Sequence, residues 1–467
     1  MTTVEGNVDH LGPAPMLGWA RSPSDPNRRL RVRVALNDRS VGDAMADLYR
    51  PDLEAAGIGD GRHGFAFDLV SHFDTESEQR LRISCFHSDV EIWVGNTRDL
   101  MTRAAELRKL RRRPLWAIHQ VQGGTSNLLV SGYLVPSAGE APEPEWIADG
   151  VPVVEAQFPV ESPPAPSRLW TVPGHRQLGF RLEIPLRSSE LAPSTVIECI
   201  DRNSRRPIIE HGAFFVPDDL EEQLRRVPDG SRMERVQGHG RPDVHLLWGY
   251  TACRKIETFL EARFGRRLSS FPSILDWGCG CGRLSRHLAK VPGTRLTGVD
   301  IDADNIAWCR DNLTARPSES MGGDDWEPPR FETVPLLPPC DLPASSFDLI
   351  LGHSVMTHLR EEDQLAWLAE LKRVSRPGAV LCLTVNADTA IWWCDPPLEV
   401  LRDWQARGFS DLARDPALDG LIGDEEYYRA TFHREDYVRR VWGQYFEIIE
   451  ILPGFAHIQD MVILRSR

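Results

Sequence analysis

A short apolar strand that runs into three alternating glycines constrains this chain most. The run reads Ser273-Ile-Leu-Asp-Trp-Gly-Cys-Gly-Cys-Gly-Arg-Leu284, and we expect a helix from about Arg283 to Lys290. Glycine has no Cβ and tolerates positive φ, so a tight turn can form and a ligand can approach its backbone. The N-terminus of the following helix offers unpaired N–H groups. The segment therefore predicts a ligand-binding turn.

A second strand makes this prediction more specific. Leu296-Thr-Gly-Val-Asp300 is an apolar strand that ends in an acid, 22 residues after Gly278. A carboxylate at such a strand tip can accept both ribose hydroxyls of an adenosine. The alternative is that Asp300 only caps the next helix, in the turn that ends at Asp304. With the glycine turn before it, Asp300 indicates an adenosine-containing cofactor.

Strand and helix patterns alternate through this part of the chain. We predict strands at Ser273–Asp276, Arg295–Asp300, Phe347–Gly352 and Ala379–Val385, and a helix at Glu361–Val374. This alternation is typical of an α/β fold, in which helices cover both faces of a parallel sheet. Ligands bind such sheets at the carboxyl ends of the strands.

The order of the motifs resembles the class I methyltransferases that use S-adenosylmethionine. Asp276, followed by glycines at every second position from Gly278, resembles motif I of that family. Segments Phe347–Leu359, Leu371–Val385 and Tyr437–Leu464 resemble its fourth strand and loop, its fifth strand, and its last helix and strands. The resemblance covers about residues 240 to 467. It implies a doubly wound, mostly parallel seven-stranded sheet, S-adenosylmethionine as the cofactor, and methyl transfer.

The resemblance also implies the residues of the cofactor site. The glycine turn would hold the methionine part, Asp300 the ribose, and Ile301 would pack on the adenine. The family often has an acid that contacts the adenine amino group, but here prolines of Leu336–Pro343 occupy that position. Asp341 or the backbone would therefore contact the adenine. The implied cofactor-binding residues are Asp276, Gly278, Cys279, Gly280, Gly282, Asp300, Ile301, Asp341 and Ser354.

Two histidines, His353 and His358, follow the fourth strand. Histidine titrates near neutral pH, so either is a natural general base for a hydroxyl acceptor. His358 matches a recurrent histidine of the family. The alternative for both is a structural histidine that hydrogen-bonds a neighbouring loop.

Residues 386–433 are too many for a simple crossover between strands. We expect a helical insertion that builds the acceptor pocket or a lid, and we expect the helix that carries Gly249-Tyr250 to cover the cofactor. Aromatic side chains can stack on a sugar or an aromatic acceptor, although ordinary core packing is the alternative. Close relatives often carry histidine where Asn386 stands. The predicted pocket residues are Tyr250, Asn386, Trp392, Trp393, Tyr428 and His433.

Two other functions compete with methyl transfer. An NAD-dependent oxidoreductase would carry the motif G-x-G-x-x-G, whose last position is glycine. If the motif starts at Gly278 that position is Arg283, and if it starts at Gly280 it is Ser285, so the motif does not fit. A non-catalytic scaffold could retain the cofactor fold, although the intact glycine turn argues against it. Asp395-Pro-Pro-Leu398 lies after the wrong strand for a base-flipping motif. We expect no nucleic-acid partner.

The N-terminal part contains an internal repeat. Gly18-Trp19 recurs as Gly132-Tyr133, and Gly64-Phe-Ala-Phe67 recurs as Gly179-Phe-Arg-Leu182, at offsets of 114 and 115 residues. Alternating runs such as Leu30–Leu36 indicate strands. We predict two all-β sandwich-like modules, which resemble modules found beside bacterial glycosyltransferases and point to a carbohydrate acceptor. The predicted domains are 1–97, a linker helix at 98–113, 114–230, and the methyltransferase at 231–467 with its insertion at about 386–433.

Composition narrows the location and the partners. The net charge of −14 disfavours nucleic acid, and the basic segment Arg98–Arg113 is better explained as a linker helix with one buried stripe. The nine cysteines are odd in number and irregularly spaced, which predicts a reducing compartment and no disulfide framework. We expect a cytoplasmic protein without a membrane span or a metal, with a small-molecule or carbohydrate acceptor and protein or glycan contacts through the β modules.

Overall fold

The computed structural model describes residues 3–12, 15–69, 72–123, 127–139, 142–161, 169–172, 174–185, 194–315 and 326–467. It contains two compact units. One comprises Met1–Leu110 with Pro164–His175, and the other comprises Arg111–Pro163 with Arg176–Arg467. No helix in these ranges is long and apolar enough to cross a membrane.

The first unit contains two four-stranded antiparallel sheets, here called the first β module. The sheet orders are β1-β2-β6-β5 and β4-β3-β7-β8. Alternation in β3 buries Val32 and Val34 against Phe65 of the other sheet. The elements are β1 Glu5–His10, β2 Met16–Arg21, β3 Leu30–Leu36, β4 Arg39–Ala46, β5 Leu48–Tyr49, α1 Pro51–Ala55, β6 Arg62–Phe67, β7 Arg80–Cys85, β8 Glu91–Asn96 and α2 Arg98–Leu110. The linker helix predicted at 98–113 is α2, which ends at Leu110.

The second β module has the same topology. Its sheet orders are β9-β10-β14-β13 and β12-β11-β15-β16, so each strand of the first module has a counterpart eight strands later. Gly18 pairs with Phe65, and Gly132 pairs with Phe180. In both modules the phenylalanine ring occupies the space that a glycine Cβ would fill. The strands are β9 Leu115–Gly123, β10 Asn127–Val135, β11 Pro144–Ala148, β12 Val151–Pro152, β13 Glu155–Val160, β14 Gly179–Pro185, β15 Ser194–Asp201 and β16 Phe214–Pro217.

A seven-stranded sheet forms the rest of the second unit. The order is β19-β18-β17-β20-β21-β25-β24, and only β25 runs antiparallel to its neighbours. The predicted α/β fold with a mostly parallel seven-stranded sheet is therefore confirmed. The strands of this sheet are β17 Ser273–Trp277, β18 Arg295–Asp300, β19 Arg330–Thr333, β20 Phe347–Gly352, β21 Ser375–Asn386, β24 Glu447–Ala456 and β25 Gln459–Arg465. A separate pair is formed by β22 Phe409–Arg414 and β23 Arg429–His433.

Helices cover both faces of this sheet. Ile256 and Leu260 pack on one face with Ile274, while Trp367 and Leu371 pack on the other. Burial on both faces explains why the central strands read as continuous apolar runs. The helices are α3 Leu220–Gln223, α4 Gly230–Gln237, α5 Pro242–Phe264, α6 Ser285–Leu288, α7 Ala303–Leu313, α8 Glu361–Val374, α9 Asp388–Cys394, α10 Leu398–Arg407 and α11 Glu435–Trp442.

Two predicted elements differ from those observed. The helix expected from Arg283 to Lys290 is shorter than predicted: only Ser285–Leu288 form the single helical turn α6, and the residues directly before it belong to the glycine turn. The insertion at 386–433 is not wholly helical. It contains α9 and α10, followed by an antiparallel pair of strands, β22 and β23. That pair lies beside the loop after β20, since Leu359 forms a β-bridge with Tyr428.

Candidate active site

The glycine turn after β17 has the backbone that its sequence predicts. Gly278 and Gly280 have φ of 73° and 52°, and the N–H groups of Gly278 and Cys279 both donate to Val299 O at 2.8 and 2.9 Å. A Cβ on Gly280 would lie 2.7 Å from Val236 Cγ2, and one on Gly278 would overlap Val355. Both the backbone conformation and the close approach of neighbours therefore require glycine at these two positions.

Asp300 closes this turn against the end of β18. Its Oδ2 accepts the Gly280 N–H at 2.7 Å, and its Oδ1 accepts the Asp302 N–H at 2.8 Å. The cap of α7 is Asp302, which accepts the N–H groups of Asp304 and Asn305. Asp300 therefore does not cap the helix. Burial raises the pKa of Asp300 to about 6.

Asp276 lies deeper, at the end of β17. It is 2% exposed and accepts the Ser285 hydroxyl at 2.6 Å. Burial raises its pKa to about 6 as well. Two carboxylates thus stand at neighbouring strand ends, as the parallel order of β17 and β18 dictates.

A cleft of about 900 Å³, measured with its open mouth, lies at this carboxyl edge. It brings together most of the predicted cofactor and catalytic residues. The predicted residues that line it are Asp276, Gly278, Cys279, Gly280, Asp300, Ile301, His353, Ser354, His358 and Tyr428. Cofactor and acceptor candidates therefore share one cavity.

Helix α4 covers part of the cleft. Arg235 donates to Asp302 at 2.9 Å and to Asp304 at 3.0 Å, and Arg232 donates to Asp304 at 2.6 Å. Val236 faces Gly280. The cover predicted for the helix around Tyr250 is provided by α4. The signal for α4 was its caps, since Asp229 accepts the Arg232 N–H and left-handed Gly238 ends the helix.

His358 is held at both its backbone and its ring by Arg429. The Arg429 N–H donates to His358 O at 2.9 Å, and His358 Nδ1 lies 3.0 Å from Arg429 O. A carbonyl can only accept, so Nδ1 carries the proton and the lone pair lies on Nε2. The ring stacks on Tyr428 at 4.2 Å, and Asp415 Oδ2 lies 3.6 Å from Nδ1. Burial lowers the pKa of His358, and Asp415 opposes that shift.

His353 has the opposite tautomer. A nitrogen of the Arg283 guanidinium lies 2.8 Å from its Nδ1, and Ser354 Oγ lies 3.1 Å away. A guanidinium can only donate, so Nδ1 is an acceptor and the proton lies on Nε2. Burial lowers the pKa of His353 well below its usual value. The ring has no free lone pair in this arrangement, and we therefore correct its assignment as a base.

The structure does not bring three pocket candidates of the insertion to the cleft. Trp392 is 1% exposed in the core, and Trp393 stacks on Tyr133 of the second β module at 5.3 Å. His433 Nε2 lies 2.9 Å from Gln364 Oε1, and burial lowers its pKa to about 3. The insertion folds with its large apolar rings inward, so core packing explains these residues.

Four further candidates also lie outside the cleft lining. Asn386 donates to Thr431 O at 3.0 Å, which ties β21 to β23. Tyr250 packs edge-on against His287 at 5.3 Å. Gly282 has φ of 79° and shapes the turn next to Leu313. Asp341 is exposed and away from the cavity, so we correct its assignment to the adenine.

Several cleft residues were not predicted. They come from α4, the glycine turn, the start of α7, the loop after β19, α8 and the insertion. The local signals were the caps of α4 and the position of Arg283 directly after Gly282. The unpredicted residues include Arg235, Val236, Arg283, Leu284, Asp302, Asn305, Val334, Trp367, Leu418 and Tyr427. Among the described residues, no group of three or more His, Cys, Asp or Glu side chains could hold a metal ion.

Known proteins resemble the central part of the chain. Residues 274–378 match a family described as a methyltransferase domain. An uncharacterized methyltransferase of Schizosaccharomyces pombe is 32% identical over 23% of this chain and 38% of its own length. Malonyl-acyl-carrier-protein O-methyltransferase of Pectobacterium atrosepticum is 29% identical over 25% of this chain and 40% of its own length. The chain thus spans less than half the length of the curated relatives it matches.

Solved structures align over a longer part. Magnesium protoporphyrin IX methyltransferase from Synechocystis, solved with bound S-adenosylhomocysteine, aligns at 19% identity with a TM-score of 0.33, over 50% of this chain and 93% of that one. The family match shows that residues 274–378 form a methyltransferase domain. The resemblance to class I methyltransferases is therefore confirmed for this segment.

Proposed function

We propose that this chain transfers a methyl group from S-adenosylmethionine to a hydroxyl of a small-molecule or glycan acceptor. The observation that carries the proposal is His358, whose Nδ1 is held by Arg429 O and which lines the same cleft as the glycine turn and Asp300. The family match of residues 274–378 disfavours the oxidoreductase and the scaffold.

The cleft residues fit such a cofactor. Each Asp300 oxygen accepts one backbone N–H and retains a second lone pair for a ribose hydroxyl. Ile301 and Val334 offer apolar surface for the adenine. Gly278, whose φ of 73° and contact with Val355 require glycine, keeps the turn backbone open to the methionine part. The bound cofactor would supply a methyl group on a sulfonium, which is an activated leaving group.

His358 then acts on the acceptor. Its Nε2 would take the proton of the acceptor hydroxyl, so that the oxygen can receive the methyl group that the bound cofactor would supply. The Arg429 carbonyl and Asp415 favour the imidazolium that results, because both lie near Nδ1–H. Alignment of the reacting atoms can contribute ~7–11 kcal/mol, and a placed base ~100-fold or more.

The Pectobacterium relative is named an O-methyltransferase, which supports oxygen as the acceptor atom. The β modules resemble modules found beside glycosyltransferases, which supports a carbohydrate as the molecule that carries it. Tyr428, stacked on His358, presents an aromatic ring on which a sugar can lie. We assign the modules to 1–97 and 114–230, with carbohydrate or protein contacts, and the methyltransferase to 231–467. The cysteine pattern supports a cytoplasmic location.

Calorimetric titration of S-adenosylmethionine and S-adenosylhomocysteine into wild type and Asp300→Ala tests the cofactor. We expect micromolar binding to wild type and at least a tenfold loss in the variant, because the ribose loses its acceptor and the turn loses its Gly280 contact. Asp341→Ala is the matched control and should bind like wild type, since Asp341 lies outside the cleft. Binding of NADH in place of both ligands would contradict the proposal.

A further inference from the structure

Arg283 is a buried cation in the cleft that has no carboxylate partner among the described residues. It is 6% exposed and lines the cavity. Within the ranges that the structure describes, its one hydrogen bond is to His353, and no carboxylate oxygen lies within 4.0 Å of its guanidinium. Burial lowers the pKa of Arg283. Because a buried charge is costly unless it is paired, this arrangement calls for an anion from a ligand.

Arg283 is held at its guanidinium and at its backbone. His353 accepts from one of its nitrogens, and helix α5 packs against the backbone of Arg283 at Gly249. A Cβ on Gly249 would overlap Arg283 O and lie 3.1 Å from Arg283 Cγ. Arg286, three residues later, instead donates to Arg226 O and does not line the cleft. Arg283 is thus positioned toward the ligand space.

The neighbouring charge in the cleft is Asp276. It lies close enough to influence Arg283 electrostatically but makes no ion pair with it. Ser285 donates to this carboxylate through its hydroxyl, at 2.6 Å from Oδ2, and through its backbone N–H. An anion and a cation that line one cavity without pairing match a zwitterion, such as the amino-acid end of a methionine group.

We propose that Arg283 binds the α-carboxylate of the cofactor's methionine group, with Asp276 facing the α-ammonium. The assignment rests on the proposed function, since it presupposes a methionine-containing cofactor. The guanidinium presents N–H donors in a planar fork that matches a carboxylate, and such bonds are short and strong. The position of Arg283 directly after the glycine turn and beside Asp276 favours the carboxylate of the cofactor over one on the acceptor.

Calorimetry on the full chain with two ligands tests this assignment. The ligands are S-adenosylhomocysteine and its decarboxylated analogue, which keeps the adenosine, the thioether and the amine. Wild type should bind the first roughly 10- to 100-fold more tightly. Arg283→Gln should bind S-adenosylhomocysteine roughly 10- to 100-fold more weakly than wild type and bind the analogue with unchanged affinity. Arg283→Lys keeps the charge but not the planar pair of donors, so it should lose part of the affinity for S-adenosylhomocysteine.

Arg286→Gln is the matched control and should keep the wild-type ratio, and thermal melting verifies that each variant is folded. A wild-type ratio near one overturns the assignment without any variant. The assignment is also overturned if Arg283→Gln leaves the affinity for S-adenosylhomocysteine unchanged, which would mean that Arg283 faces a carboxylate of the acceptor. It is overturned as well if the variant weakens binding of both ligands equally. Wild type that binds neither ligand overturns the proposed function itself, which distinguishes the two failures.

Discussion

His353 and His358 follow the same strand, yet different groups approach their Nδ1 atoms. Arg283 can only donate to His353, whereas Arg429 O can only accept from His358. These partners leave a lone pair on Nε2 of His358 alone. At the residue scale, the partner of the second ring nitrogen decides which histidine can act as a base.

His358→Gln should lower the methyl transfer rate by about 100-fold or more and leave S-adenosylhomocysteine binding intact. In wild type the active form has neutral His358, and burial lowers its pKa below the ordinary 6.5. The rate should therefore rise with pH through a limb below 6.5 and be level at neutral pH.

Asp415→Asn should move this limb to lower pH, because Asp415 raises the pKa of His358. Rates with methyl-labelled cofactor across pH measure both, and a limb above neutral pH would contradict the assignment.

Buried His433 should make the protein sensitive to acid. Its folded pKa is lowered to about 3 from 6.5, so the folded state excludes a proton that the unfolded state binds as pH falls through 6.5. Its stabilising effect is present above 6.5 and is lost toward pH 3. In denaturant titrations, the cost of His433→Gln should be smaller at about pH 5 than at about pH 7.5, by about 2 kcal/mol. An equal cost at both pH values would show that the histidine titrates normally.

At the scale of elements, the glycine turn depends on helix α4 as well as on its own residues. Val236 of α4 approaches Gly280, and Arg235 ties α4 to Asp302, the N-cap of α7. Arg235 and Asp302 are 15% and 8% exposed as side chains, so this pair is more protected from solvent than a surface pair. Helix α4 and the turn therefore form one wall of the cleft together.

Arg235→Ala should release α4 and weaken S-adenosylhomocysteine binding about tenfold, which corresponds to ~1.4 kcal/mol. Faster amide hydrogen exchange in α4 should accompany the loss, since local contacts set local opening. Arg439→Ala is the matched control, because Arg439 pairs with Glu435 on the exposed surface of α11. Equal effects of the two variants on binding would show that α4 is not part of the wall.

At the scale of the whole molecule, the second β module belongs to the same compact unit as the seven-stranded sheet. Tyr133 stacks on Trp393 and hydrogen-bonds His457 Nε2 at 2.9 Å, while Trp248 packs on His457 at 4.7 Å. This aromatic cluster lies near the hairpin of β24 and β25, whose Gln459 accepts from Ser354 in the cleft. The module therefore supports one wall of the site.

Tyr133→Ala should destabilise this unit by about 3 kcal/mol, since it leaves a cavity between packed rings and removes the His457 partner. Denaturation followed by tryptophan fluorescence measures the change. Tyr49→Ala is the control, because Tyr49 is an exposed residue of the first β module. A stability loss no larger than that of the control would show that the second module is only attached to the catalytic sheet.

The local features of the site could be predicted from the sequence. Gly278, Gly280 and Asp300 lie in or directly after apolar strands, so strand period and turn chemistry place them at one sheet edge. The pocket residues of the insertion could not be predicted in this way. A tryptophan such as Trp392 serves equally for a pocket or for a core, and its own sequence does not say which side it faces.

The parallel sheet, the glycine turn and the acid at the next strand tip follow from contiguous residues, because each depends on local pattern and on backbone sterics. The candidate roles of His353, His358 and Arg283 depend instead on tertiary contacts. Their partners lie 70 and 71 residues away along the chain, at His353 for Arg283 and at Arg429 for His358. Hydrogen-bond direction, tautomer and charge pairing are set by such distant contacts, which no local pattern records.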